Sequence, residues 1–320
     1  MKSIFKYVLV LIIGLFAQEA KSQSRKYISQ FSFFQSYYNP GLTGYEGSAI
    51  RGFVRNQWGG FQGAPKTMFF SGEFDFAEMA GNSHPSLTGR NAASINLLFD
   101  RYGAFNETEL ITGYATRIRI SESHNVRLGA GINYMNVRLD GTALNTEQQS
   151  DQTLQGYIGS FADMQILDFN IGIALTHENY YFSYGMHNVN RGRLSKGDNF
   201  MDGKPVSYIV QVGGRGLVSE NLAIIGNAFY REQVGHPSNL EVNAKALFMN
   251  RLWLGGGHRL NYANNFQAGF VMQNLQLGYI YELPVQRSLI MGGTIHEFMV
   301  ILKLFKEDDR FRGRNQIAIW

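Results

Sequence analysis

Few residues of this 320-residue chain stand at spacings that could do chemistry. His296-Glu297 looks like half of a helical zinc motif, but no second His stands four residues on, and the surrounding pattern is that of a strand. Asp198-Asn199 with Asp202-Gly203 offers oxygen ligands in a loop, without the spacing or closing Glu of a calcium site. Gly129-Ala130-Gly131 has no third glycine of a dinucleotide loop and lies within a strand pattern, where glycine thins a wall. No Gly-x-Ser-x-Gly elbow occurs, and none of the seven His joins a Ser and an acid in a motif. Glu73 and Asp75 share a face and could be a paired-acid site, or could simply line a lumen. Arg117, Arg119 and Glu109 share another face, as do Glu241 and Lys245. Such charges can pair across strands and plug a barrel, or they can line a pore. There is no Cys, which excludes disulfides, thiolate sites and a lipidated cysteine. The expectation is no catalytic site, no cofactor and no metal: the chain is not an enzyme.

The elements that carry these residues have period two. In Gln165–Thr176, Leu167, Phe169, Ile171, Ile173 and Leu175 fall on one face, and Asp168, Asn170, Gly172, Ala174 and Thr176 on the other. The same alternation marks Lys66–Phe76, Asn91–Asp100, Asn125–Tyr134 and Asn239–Phe248. Further candidates are Ala49–Trp58, Glu109–Ile120, Tyr180–His187, Val206–Gly216, Leu222–Arg231, Leu252–His258, Asn265–Met272, Leu275–Tyr281 and Glu297–Phe305. That makes about fourteen strands. A soluble sandwich also alternates, with its oily face inward. Here the strands are near the length of a tilted membrane span, and the polar face carries charges and glycines, as a barrel lumen does. Asp140–Met164 and Asn188–Lys204 read as long polar loops, which in such a barrel lie outside.

Composition agrees. Charged residues are 17%, against about 25% in ordinary soluble domains, while aromatics reach 14% and Gly numbers 36. Lys2 and Lys6, the apolar run Tyr7 to Ala17, and Ala20-Lys21-Ser22 read as a signal peptide cut after Ser22. Its removal takes three lysines and one glutamate, so a net charge of +4 becomes +2. Without basic clusters this gives no case for nucleic acid. No other stretch is long and apolar enough for a helical span, so any span must be made of strands. The expected organisation is a signal peptide over 1–22, an irregular segment over 23–48, an outer-membrane β-barrel over 49–305 and a tail over 306–320.

Two segments carry a family likeness. One is Ser29-Gln30-Phe31 followed by Tyr38-Asn39-Pro40-Gly41-Leu42-Thr43-Gly44. The other is Arg55-Asn56-Gln57-Trp58, then Phe61, then Gly63-Ala64-Pro65-Lys66-Thr67. Together they resemble the N-terminal signature of the PorP/SprF family of type IX secretion system membrane proteins. The likeness continues through Leu252–Gly257, Leu277–Tyr281 and His296–Met299. The chain departs from the family at Gly41, where members often have Ala, and in its tail. The resemblance implies a barrel of about fourteen strands in the cell outer membrane. It also implies a role in export and surface attachment of cargo bearing a type-B C-terminal sorting domain, such as gliding adhesins. The partners it implies are that cargo and the periplasmic ring and lipoprotein parts of the secretion machinery.

The reading is therefore a non-enzymatic secretion component that holds cargo. A fourteen-stranded transport channel is the alternative, and an outer-membrane hydrolase a third. The expected partner-binding residues are Asn39, Pro40, Arg55, Asn56, Gln57, Trp58, Pro65, Lys66 and Thr67. A mixture of Trp, Arg and fixed turns suits a pre-organised anchor. The same residues can instead be structural, with Pro40 and Pro65 setting turns and Trp58 packing.

Overall fold

The computed structural model describes residues 28–59, 63–81, 91–143, 156–198, 200–201, 203–285, 293–305 and 317–320. The expected signal peptide and the Asn199 and Asp202 of the candidate calcium loop lie outside these residues. The period-two segments are strands: β1 (Ala49–Gln57), β2 (Lys66–Asp75), β3 (Asn91–Tyr102), β4 (Phe105–Arg119), β5 (Asn125–Asp140), β6 (Phe161–Thr176), β7 (Tyr180–His187), β8 (Leu194–Gly197), β9 (Ser207–Ser219), β10 (Leu222–Gln233), β11 (Asn239–Phe248), β12 (Leu252–Arg259), β13 (Ala263–Met272), β14 (Leu275–Pro284) and β15 (Ile295–Lys303). Fourteen of them form a closed antiparallel ring. β1 to β7 pair in succession, β7 pairs β9, the succession runs on to β15, and β15 pairs β1. The short β8 extends the edge of β6 at Met164–Leu167, beyond the point where β7 leaves it.

The faces are inverted relative to a soluble sandwich. Met68, Phe70, Ile95, Phe99, Ile132, Phe169 and Ile171 point outward and are exposed, whereas Thr67, Ser71, Asn96, Asn133, Asp168 and Asn170 point inward and are buried. An apolar exterior suits a hydrocarbon solvent, and ring closure satisfies every backbone group that lipid cannot. The chain is a membrane β-barrel.

β5 and β6 run 16 residues each, longer than the 9–11 that a tilted span needs. Their polarity reverses partway. Up to Tyr134 and Leu167 the outer face is apolar. Beyond that level the inner face becomes apolar, with Met135, Val137, Met164 and Ile166 buried together under Phe105, Phe200 and Met201. The outer face there carries exposed Arg138 and Asp163. This reversal marks where the ribbon leaves lipid and folds as a water-soluble sheet does. It also explains why period-two reading ended these strands early and assigned 140–164 wholly to a loop.

The two ends of the barrel differ. At the end where β1 begins, the connections include the short turns 120–124, 177–179, 220–221, 249–251 and 273–274. At the other end lie the long connections 141–160 and 188–206, with 58–65 and 285–294. The signature loop between β1 and β2 therefore shares an end with the two longest loops.

Candidate functional site: a filled lumen

Residues 28–48 have no strand period because they are not wall. They thread the barrel as short helical turns, Phe31–Phe33, Gln35–Tyr38 and Pro40–Leu42, and all but Glu46 are buried. The path runs the height of the lumen. Ser29 lies at the long-loop end, against Glu282 and Glu297. Ser48 lies at the short-turn end, where its hydroxyl accepts from Asp75 N at 2.9 Å.

At the long-loop end five buried charges meet. Arg55 reaches Glu282 and Glu297, each at 3.1 Å, and its Nη1 donates to Ser29 Oγ at 2.7 Å. Arg259 reaches Glu241 at 2.8 Å and Glu282 at 3.0 Å. These charges come from β1, β11, β12, β14 and β15, so the cluster ties the plug to strands on both sides of the β1–β15 seam. Buried ions need such mutual pairing, because each alone would lose its hydration uncompensated.

In the middle, the aromatic side chains of the segment fill the bore. Phe34 packs edge-on to Phe53 and Phe69 at ring-centroid distances of 5.0 and 5.2 Å, and Tyr38 on Phe229 at 4.7 Å. Tyr37 donates to Glu109 at 2.8 Å, and Ser36 to Glu73 at 2.9 Å. Arg51 also pairs with Glu73. Glu73 and Asp75 are thus separately engaged, since Asp75 caps the turn at Ala77 and Glu78. They do not form a paired-acid site.

Asn39-Pro40-Gly41 lies against a strip of glycines on the wall. A Cβ at Gly129 would stand 2.2 Å from the carbonyl carbon of Pro40, and one at Gly172 only 1.8 Å from Asn39 Oδ1. Gly129 and Gly172 are register partners on β5 and β6, and Gly185 continues the strip on β7. Asn39 Oδ1 accepts from Gly41 N at 2.8 Å, Asn39 Nδ2 donates to Ile173 O, and Arg127 donates to the carbonyls of Gly41 and Thr43. The glycines of β5 and β6 thin the wall for this turn.

The tail returns as well. Ile317, Ile319 and Trp320 are buried in the same core. Lys245 Nζ donates to Ser32 Oγ at 2.7 Å and to the carbonyl oxygen of Trp320, and it stands 3.9 Å from the Phe33 ring centre. Arg215 sits 4.2 Å over the Trp320 ring. Lys245 and Glu241 share a face, as the sequence suggested, but they have separate partners.

The nine expected partner-binding residues divide in two. Asn39, Pro40, Arg55 and Thr67 are buried inside, Thr67 donating to Asp100 at 2.7 Å. Asn56 and Lys66 face outward at the long-loop end, with Gln57, Trp58 and Pro65 at the base of the loop. That base is tied down by Gln57 N to Pro65 O, Trp58 N to Thr294 O and Gly103 N to Gly63 O. Trp58 holds a positive φ of 50°, stored where the loop leaves β1. His296 and Glu297 point to opposite faces: Glu297 meets Arg55, while His296 meets Tyr279 Oη at 2.7 Å. No cluster of metal-ligating residues exists among the described residues. Sequence reasoning missed Arg259, Glu282 and Trp320, whose partners are remote along the chain.

Comparison with curated proteins gives no match. Among solved structures, similar folds include the CymD monoaromatic hydrocarbon channel (9% identity, 88% of this chain and 94% of that chain, TM-score 0.48). The toluene transporter TbuX of Ralstonia pickettii (9%, 82% and 90%, TM-score 0.44) and a Pseudomonas aeruginosa FadL homologue (7%, 83% and 93%, TM-score 0.43) are also similar. A family profile described as "Type IX secretion system membrane protein PorP/SprF" matches residues 20–302.

Proposed function

Because this chain belongs to the PorP/SprF family of type IX secretion system membrane proteins, we propose that it is a non-enzymatic outer-membrane component that supports secretion and surface attachment of specific cargo. That cargo would carry a type-B C-terminal sorting domain, and the periplasmic ring and lipoprotein parts of the machinery would be its other partners. The single observation that carries this reading is the filled lumen. A barrel whose bore holds its own residues 28–48 and 317–320 is suited to anchoring and docking rather than to conduction.

In this reading the long-loop end faces the cell exterior and the short turns face the periplasm. The outer docking surface is then formed by the signature-loop base, Asn56, Gln57 and Trp58, held by the buried Pro65, beside the loops 141–160 and 188–206. Arg55, Thr67, Asn39 and Pro40 serve it from within by fixing the strands beneath. A deletion strain analysed for secreted proteins tests the proposal. The expected result is loss of one or two cargoes with general secretion intact. Unchanged export of every cargo overturns it. Steady conductance of the purified protein in planar bilayers would favour the transport channel instead.

A further inference from the structure

Lys66 belongs to the signature block, yet the interior has no use for it. It is exposed on the outer wall at the long-loop end of β2. Its register partner on β3 is Arg101, also exposed. The same row of partners continues through Asn106 on β4 to Arg138 on β5, both exposed. Neighbouring strands lie about 4.8 Å apart, so Lys66 and Arg101 are two cations set side by side. Like charges directly opposite on adjacent strands are destabilising unless an anion lies between them. Among the described residues, neither is ion-paired with an acidic side chain.

What lies below them is lipid-facing surface. Met68 and Phe70 follow Lys66 on the outer face of β2, and Phe99 and Ile95 precede Arg101 on β3. The pair therefore stands where an apolar wall gives way to the headgroup layer. The opposite side of the same rim lacks this feature: Asn264, His258, Leu240 and Glu232 hold the outward positions there.

We propose that Lys66 and Arg101 form a binding site for the phosphate-bearing headgroup of an anionic membrane lipid, whose acyl chains lie on Met68, Phe70 and Phe99. Arg supplies a planar fork that matches phosphate oxygens, and Lys a point charge beside it. The flat apolar wall beneath selects a lipid over free phosphate, because only a lipid covers both surfaces at once.

The test uses the purified full-length protein reconstituted in phosphatidylcholine vesicles with and without phosphatidylglycerol or lipopolysaccharide, followed by native mass spectrometry of retained lipid. Wild type should retain the anionic lipid selectively. Lys66→Gln with Arg101→Gln should lower that retention roughly tenfold or more, while the swap Lys66→Arg with Arg101→Lys should preserve it. Heat-modifiable migration on gels reports that each variant is folded. Equal retention by a folded double-Gln variant overturns the proposal, as does equal retention of phosphatidylcholine. Displacement of the lipid by millimolar inorganic phosphate alone would also overturn it, by showing a phosphate site and not a lipid site. All readouts are on isolated protein, so the outcome is independent of whether cargo is exported.

Discussion

Gly129 and Pro40 touch backbone to backbone: a single added methyl on Gly129 would overlap the carbonyl carbon of Pro40, at 2.2 Å. The wall and the plug are therefore fitted to each other at a place where neither can yield. Side chains at such a contact could rotate away, but two backbones cannot.

Gly129→Ala should destabilise the barrel by about 1–3 kcal/mol or more, the usual cost of overpacking, by unseating the Asn39-Pro40-Gly41 turn. Gly226→Ala is the matched control, since a Cβ there meets nothing within 4 Å. Urea unfolding midpoints in lipid should separate the two. Equal midpoints would mean that the turn does not seat on the wall.

Arg55→Ala should cost about 3–5 kcal/mol, because it removes the cation that pairs with the buried Glu297. Barrel yield in membranes should fall accordingly. Lys66→Ala should leave yield unchanged, since that side chain is exposed. A variant combining the two would confuse a folding defect with a docking defect, so they are best measured separately. Normal yield of Arg55→Ala would show that the plug cluster is dispensable.

Ile171 faces outward, 47% exposed, and Asn170 faces inward at 1%. Ile171→Arg should cost roughly 2–4 kcal/mol if it lies near the middle of the bilayer. The wide tolerance of an open lumen does not extend to Asn170, whose Oδ1 accepts from Asn188 N at 3.2 Å in a packed interior. Asn170→Ala is thus the informative partner change, with a cost of about 1–3 kcal/mol for the unsatisfied donor. Folding titrations in lipid vesicles give both numbers. Full tolerance of Ile171→Arg would refute the lipid-facing register.

With no native Cys, single cysteines report topology cleanly. Ser160→Cys and Ser195→Cys belong to the long-loop end, and Glu122→Cys and Glu220→Cys to the short-turn end, all four being exposed. A membrane-impermeant thiol reagent should label the first two on intact cells and the second two only after permeabilisation. The reverse pattern would turn the barrel over.

The wall was legible in the sequence because lipid and lumen impose opposite demands on alternate residues, and runs such as Leu167 to Leu175 obey them throughout. Strand boundaries at Asn125, Tyr180 and Asn239 follow directly. Three features escaped. The upper halves of β5 and β6 reverse their polarity beyond Tyr134 and Leu167, so the alternation loses its sign. β8 is too short, at four exposed residues, to show any period. The plug has no periodicity of its own, because its contacts are made with wall residues such as Glu282 and Gly172, remote in sequence. Within the signature block, sequence could not divide Arg55, which faces the plug, from Lys66, which faces outward. That division rests on their pleat positions on paired strands, where Asn56 and not Arg55 is the partner of Lys66.

The segment 28–48 passes from one mouth of the ring to the other and then continues straight into β1, one of the two strands of the β1–β15 seam. A cork joined to the first stave stays tethered to the cask it fills. Closure of β15 on β1 completes a hoop around a stretch of chain that is continuous with the hoop itself. The tail 317–320, which follows β15, enters the same interior from the other side of that seam. Fill and wall of this barrel are in that sense one piece, joined at both strands of the seam.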